Sequence, residues 1–169
     1  MIKGEMGRDG DHPLVSRRPI RNPLDPVSKS IIEMLQVDGR RAYDSIATEL
    51  GISEDSVIQR VKQLTDAGVI QITAVSDPLQ LGFARQAMLG INVEANLVKQ
   101  VARRLSEIPD VVYVVITAGG FDILVEVVGE SDAHLLELVT AIRPITGVVS
   151  IHTFLYLELE KQTYTWGVR

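Results

Sequence analysis

The apolar period changes once along this chain, and the change limits what it can fold into. Up to Gly68, apolar residues recur at spacings of three and four; beyond Asp77-Pro78, β-branched runs alternate with helical stretches. The first pattern predicts short packed helices and the second a mixed sheet, so 169 residues divide into two small domains. With 46% apolar residues, each half can bury a core.

In the first half, Asp25 caps a helix whose first turn holds Pro26 and whose inward positions are Val27, Ile31, Met34 and Leu35, with Gly39 ending it. A second helix is predicted from Tyr43 to Leu50, with Ile46, Ala47 and Leu50 inward. Gly51 supplies a tight turn, Ser53 caps a third helix with Ser56 at its N3 position, and Val57, Val61 and Leu64 share its inner face. Ala67-Gly68 closes that helix, and Val69 to Val75 is expected to form a small wing or linker strand. Residues 1–23 lack an apolar period and read as a flexible arm carrying Arg17, Arg18 and Arg21.

In the second half, Ala87–Val93 reads as a strand and Leu97–Glu107 as a helix. Val111–Thr117 and Phe121–Val128 pair through the turn Ala118-Gly119-Gly120. Ser131 or Asp132 caps a helix through Ile142, Pro144 and Gly147 break it, and Val148–Leu159 is a last long strand. This βαββαβ order is the ferredoxin-like unit, with both helices on one face of an antiparallel sheet. Alternate residues from Leu89, Ile91, Val93, Val125 and Val127 are expected on the other face, where a second copy of the chain would cover them. The organisation expected is an α+β chain: a winged helix-turn-helix domain at 24–76, a linker at 77–84, a ferredoxin-like domain at 85–161 that pairs into a dimer, and a tail at 162–169. In that tail Tyr164 and Trp166 are candidates for packing on the same or a neighbouring chain.

A short helix, a glycine turn and a capped longer helix suit the crossing that presents a recognition helix to the major groove of double-stranded DNA. The outer face of the third helix carries Asp55, Ser56, Gln59, Lys62 and Gln63, with Arg60 at its flank. Gln59 can bond an adenine edge, Ser53 and Ser56 bases or phosphate, and Arg60 a phosphate or guanine. Lys62, Arg40 and Arg41 offer phosphate contacts. Against this, residues 24–83 hold 5 basic and 9 acidic side chains within a formal net charge of -5. Such a balance weakens indiscriminate binding and leaves contacts to local clusters, to the arm or to repetition in an oligomer.

Leu24-Asp25, Leu35 to Arg40, Ile46-Ala47, Leu50 to Ser53, Val57, Arg60-Val61, Leu64, Gly68 to Ile70 and Asp77 to Gly82 resemble the helix-turn-helix half of the leucine-responsive regulatory protein/AsnC family. Ile108 to Val111, Gly119 to Asp122 and Gly147-Val148 resemble that family's amino-acid-sensing half. The resemblance, over about Leu24 to Lys161, implies a transcriptional regulator. It implies a homodimer through paired sheets, assembly to octamers or similar rings, and an amino acid or related metabolite bound between dimers. Candidate effector residues are Ala118, Gly119, Gly120, Phe121 and Asp122, joined by Thr153 from a neighbouring subunit. Where the family often places a carboxylate between glycine and aromatic, this chain has Gly120, which leaves the ammonium partner to Asp122, a backbone carbonyl or another ligand class.

Two other classes of function compete with this reading. A small catalytic barrel would draw on His134, His152, Asp122, Glu126 and Tyr113, but the histidines, His12 included, lack metal-ligand spacing and no carboxylate pair stands out. No cofactor or metal is expected, and no enzyme. The other rival is an oligomeric ligand-binding module without DNA binding, which the acidic balance favours. Without cysteine, disulfides and thiolate chemistry are excluded. No signal peptide or membrane span is read, so the expectation is the cytoplasm, away from membranes.

Overall fold

The computed structural model describes residues 24–163 and 168, divided into two compact units. The expectations for the arm at 1–23 and for Tyr164 and Trp166 lie outside the described residues.

The first unit, which takes the described residues up to Ala74 and those from Lys161 on, contains α1 (Pro26–Val37), α2 (Tyr43–Leu50) and α3 (Glu54–Asp66). Each boundary follows its sequence chemistry. The Asp25 carboxylate accepts from Ser28 N at 2.7 Å to cap α1, Gly51 ends α2 at φ 66°, and Ser53 Oγ accepts from Ser56 N to cap α3. Ile31, Leu35, Ile46, Ala47, Val57 and Val61 form the core, and Val27, Met34, Tyr43, Leu50, Ile52 and Ile70 pack against it. After α3, Val69 N and Ile70 N both donate back to Leu64 O, and residues 71–77 form no strand. The wing strand expected there does not form, because no described strand lies alongside to accept its hydrogen bonds.

The second unit, Val75–Glu160, opens with a 3-10 turn at Pro78–Leu81. It continues as β1 (Arg85–Val93), α4 (Val98–Ser106), β2 (Val111–Ile116), β3 (Ile123–Gly129), α5 (Asp132–Ile142) and β4 (Val148–Leu155). The strands form one antiparallel sheet in the order β2-β3-β1-β4. Ser131, rather than Asp132, caps α5, its side chain accepting from His134 N.

Two expectations are corrected here. β4 stops at Leu155, four residues short: Ala87 pairs with Leu155, Tyr156 N donates once more to Gln86 O, and β1 then runs out. The face assignment is also reversed. Leu89, Ile91, Val93, Val125 and Val127 are buried and share one core with Val101 and Leu105 of α4 and Leu135 and Ile142 of α5. Those strand residues therefore lie under the helices. The alternate set forms the uncovered face: Met88, Gly90 and Asn92 of β1, Leu124 and Glu126 of β3, Tyr113 and Val115 of β2, and Ser150, His152 and Phe154 of β4. The parity follows from composition, since the set that is apolar throughout takes the dry side and the set with Asn92, Glu126, Ser150 and His152 does not.

Leu89→Ala should therefore destabilise this unit by about 2–5 kcal/mol through a buried cavity. Urea unfolding checks it; a loss under about 1 kcal/mol would return Leu89 to the uncovered face.

Candidate nucleic-acid interface and candidate effector site

α3 buries Val57, Val61 and Leu64 against α1 and α2, which turns Asp55, Gln59, Lys62, Gln63 and Asp66 to solvent. The candidate contact residues then fall into three situations. Gln59 and Arg40 present exposed side chains, although the Arg40 backbone N–H donates to Asp38 Oδ1 at 2.9 Å. Ser53 is exposed with its hydroxyl engaged as the cap, at 3.3 Å from the N–H of half-buried Ser56. Three cations are paired inside the chain: Lys62 with Asp66 at 2.6 Å, Arg41 with Glu49, and Arg60 with Asp25.

These pairs differ in kind. Lys62–Asp66 is an exposed pair within one helix and Arg41–Glu49 is solvent-facing, and such pairs contribute about 0–1 kcal/mol, little enough for a phosphate to displace them. Arg60 instead ties two helices together. Its Nη1 donates to Asp25 Oδ2 at 2.5 Å and to Ser28 Oγ at 2.9 Å, and Ser28 is the one buried polar residue among those described. Asp25 thus caps α1 with one oxygen and holds α3 with the other. The Ser28 backbone N–H, then the Arg60 guanidinium, keep the Asp25 carboxyl below its ordinary value of 3.8. Arg60, expected to reach DNA, is turned toward α1. A pair 35 residues apart leaves no periodic signal in the sequence.

The second candidate site is the β2–β3 turn. Ala118, Gly119 and Gly120 are exposed at its tip, and three hydrogen bonds pin its base. Thr117 N donates to Asp122 O at 2.9 Å, Thr117 Oγ1 donates to Phe121 O at 2.6 Å, and Asp122 N donates to Ile91 O at 3.0 Å. Asp122 Oδ2 also accepts from Val93 N at 2.8 Å, where the β1–β4 register shifts. One carboxylate oxygen is therefore structural, while among the described residues no backbone N–H is bonded to the other. The Phe121 ring covers Gly90: a Cβ there would lie 2.7 Å from the ring, so only glycine fits without a shift. His152 and Phe154 complete this aromatic group, with ring centroids 5.3 and 6.0 Å from Phe121. Thr153 pairs with buried Leu89 and so lies on the opposite face of the sheet from Phe121. Within one chain the two do not meet.

On the uncovered face, Gln86 Nε2 donates to Glu126 Oε1 at 2.8 Å, and Tyr156 is pushed up to about 12 by burial, then by the charge of Glu126 and a hydrogen bond with it. Of the groups considered for catalysis, Tyr113, Glu126 and His152 share the uncovered face, with Tyr113 opposite Glu126, while His134 lies apart from them. His134 Nδ1 accepts from Glu130 N at 3.3 Å while Nε2 lies 3.5 Å from Asp110, away from the aromatic group that holds His152. Among the described residues no cluster of His, Cys, Asp or Glu could hold a metal ion, and no helix is long and apolar enough to cross a membrane.

Residues 83–169 match the model of the AsnC-type regulator domain described as a C-terminal dimeric alpha+beta barrel, and residues 24–71 match a winged helix-turn-helix DNA-binding model. The chain is 33% identical over 145 residues to the HTH-type transcriptional regulator FL11 of Pyrococcus horikoshii, covering 85% of this chain and 96% of that one. The FL11 regulator of Pyrococcus furiosus is 34% identical over the same length, with the same coverage. Among solved structures, E. coli AsnC superposes with a TM-score of 0.77 at 24% identity, over 85% of this chain and 99% of that one. A Neisseria meningitidis transcriptional regulator in complex with L-Met gives 0.75 at 22% identity, over 83% and 94%.

The Asp25 clip makes the helical unit acid-sensitive with a defined sign. Because folding depresses this carboxyl, its contribution is present above pH 3.8 and lost as pH falls through the still lower folded value. Asp25→Asn should lower the melting temperature near neutrality and flatten its fall between about pH 5 and pH 2, read by circular dichroism. A wild-type pH dependence retained in the variant would remove Asp25 as its source.

Proposed function

This chain belongs to the leucine-responsive regulatory protein/AsnC family of helix-turn-helix transcriptional regulators, and from that premise we propose how it works. It is a DNA-binding regulator and not an enzyme. α3 enters the major groove of the operator, with Gln59 reading a base edge and Ser53, Ser56 and Lys62 beside it. Arg40 and Arg41 set the domain on phosphate. Arg60 serves the fit of α3 on α1. The observation that carries the reading is a capped helix with a solvent-facing polar stripe, directly after the Gly51 turn, in the same chain as a sheet with one uncovered face.

Residues 24–76 act as the DNA-binding domain, 77–84 as the linker, and 85–161 as the sensing and oligomerisation domain, with 162–169 as a tail. The dimeric barrel domain pairs through the uncovered face that carries Met88, Tyr113 and Phe154, and dimers assemble further, to an octamer. An amino acid or related metabolite, the class supported by the L-Met complex of the Neisseria neighbour, binds between dimers at Ala118 to Asp122. Thr153 comes from the adjoining subunit, which accounts for its lying on the far side of the sheet from Phe121. The free oxygen of Asp122 meets the ammonium group and the exposed turn meets the carboxylate. Binding resets the spacing of successive dimers and hence of their recognition helices. The setting is the cytoplasm.

Gel shifts on duplexes selected by the full-length protein from a random pool, at two salt concentrations and with a panel of amino acids, test this. A specific complex altered by one amino acid is expected; a protein that selects no duplex at any salt is the ligand-binding module instead. Gln59→Ala should cost about 1–3 kcal/mol of base discrimination at one position, and unchanged preference would take Gln59 off the contact surface. Asp122→Asn keeps an acceptor for Val93 N and removes the charge. It should abolish the amino-acid response without changing dimerisation, and a retained response would place the ammonium partner elsewhere.

A further inference from the structure

One residue on α3 fits neither the core nor the polar face assigned to DNA. Ile58 remains 45% exposed in the middle of the helix. With Asp55, Gln59 and Lys62 it makes a stripe at i, i+3, i+4 and i+7, which lies on a single helix face. A groove of about 390 Å³ runs beside it, lined by Ile58 together with Tyr43, Val61, Thr65 and Ile72. Tyr43 is the first residue of α2, so the flank of α3 that carries Ile58 looks toward the start of α2.

The two flanks of α3 differ in how firmly their cations are held. On one side Arg60 is neutralised by Asp25, whose carboxylate stays half exposed and would repel a phosphate strand. On the other, Arg40 is exposed just before the Ala42 cap of α2, and the Arg41–Glu49 and Lys62–Asp66 pairs, the second with both members at the groove rim, are solvent-facing pairs whose cations a phosphate can take over. A polyanion therefore settles on the Ile58 side, and the face of α3 offered to bases is centred between Ile58, Gln59 and Lys62 rather than on Ser56 and Arg60. In the major groove the apolar feature presented at a base edge is the C5-methyl of thymine.

We propose that Ile58 is a specificity-determining residue that reads a thymine methyl, flanked by the amide of Gln59 and the ammonium of Lys62. The inference rests on DNA binding through α3 and adds the base class and the side of the helix that does the reading.

The test replaces each thymine of the selected duplex by deoxyuridine in turn, which removes only the methyl, and measures affinity for wild type, Ile58→Val and Ile58→Ala in the full-length protein. At one thymine per half-site, wild type should lose about three- to fivefold, the value of one methyl withdrawn from water. Ile58→Ala should bind the thymine duplex more weakly by a similar factor and no longer distinguish thymine from uracil there, with Ile58→Val between. Equal thymine preference in wild type and Ile58→Ala, or no uracil effect on wild type at any position, overturns the proposal. A protein that enriches no duplex overturns the DNA reading itself, a result distinguishable because it precedes any variant. Circular dichroism at the assay temperature should show both variants as folded as wild type, so that the loss of thymine preference is not loss of the domain.

Discussion

Strand alternation of period two is the constraint on which the sensing half depends. β1 lies at the centre of the sheet, bonded on both sides, so its register decides which residues of three strands share a face. Ala87, Leu89, Ile91 and Val93 go under α4 and α5, and Met88, Gly90 and Asn92 are left outside by the same geometry. A shift of one residue would put Asn92 and Glu126 into the core, a cost of several kcal/mol that no turn could offset. The uncovered face is a consequence of that register. So is the seat of Phe121, whose ring can lie flat only where the central strand has a glycine, and through it the sheet surface is tied to the turn that carries Asp122.

In the helical half the corresponding constraint is angular. Three inward residues fix the roll of α3 only loosely, because a helix face is broad. The Asp25–Ser28–Arg60 contact narrows it by holding one flank against α1, and so decides which residues reach the opposite side. An arginine that the residue pattern alone would send to DNA therefore determines instead how Gln59 and Ile58 are presented. Hydrogen bonds shared by a cap and an ion pair suit this role, since moving α3 would leave both the first turn of α1 and a buried hydroxyl without partners.

Much of this was legible in the chain because it is local. Asp25, Gly51 and Ser53 mark helix ends through their own backbone chemistry, and the β-branched runs mark strands. What was not legible depends on pairing between distant segments. The choice of buried face could not be read from Leu89 or Val125 alone, since Met88, Leu124 and Val115 make the alternate set nearly as apolar until Asn92, Glu126 and His152 are placed in register with them. The wing strand and the end of β4 failed for a related reason: β propensity at Ile72 or Leu157 describes a segment, while a strand needs a neighbour with free hydrogen bonds. In the candidate sites, Gln59 and the glycine turn were legible as types at positions, whereas the engagement of Arg60 and of one Asp122 oxygen required the third dimension.

Charge connects the two halves functionally. The helical segment is acidic, and Arg41, Arg60 and Lys62 are all committed to carboxylates of the same chain, so one copy presents little net attraction to a phosphate backbone. Two of those pairs are weak enough to exchange for phosphate, but each exchange frees an acidic group beside the DNA, so the gain per copy stays small. A reading head of this kind gains affinity chiefly by repetition, because linking copies raises the effective concentration of the second head once the first is bound. Affinity of that origin depends on the spacing between copies, which the proposed assembly assigns to the sheet faces and turns of the other half. On the proposed function, a small molecule that alters how dimers meet would need no contact with α3 to control it, because a weak, acidic reading head leaves assembly as the variable that sets DNA affinity.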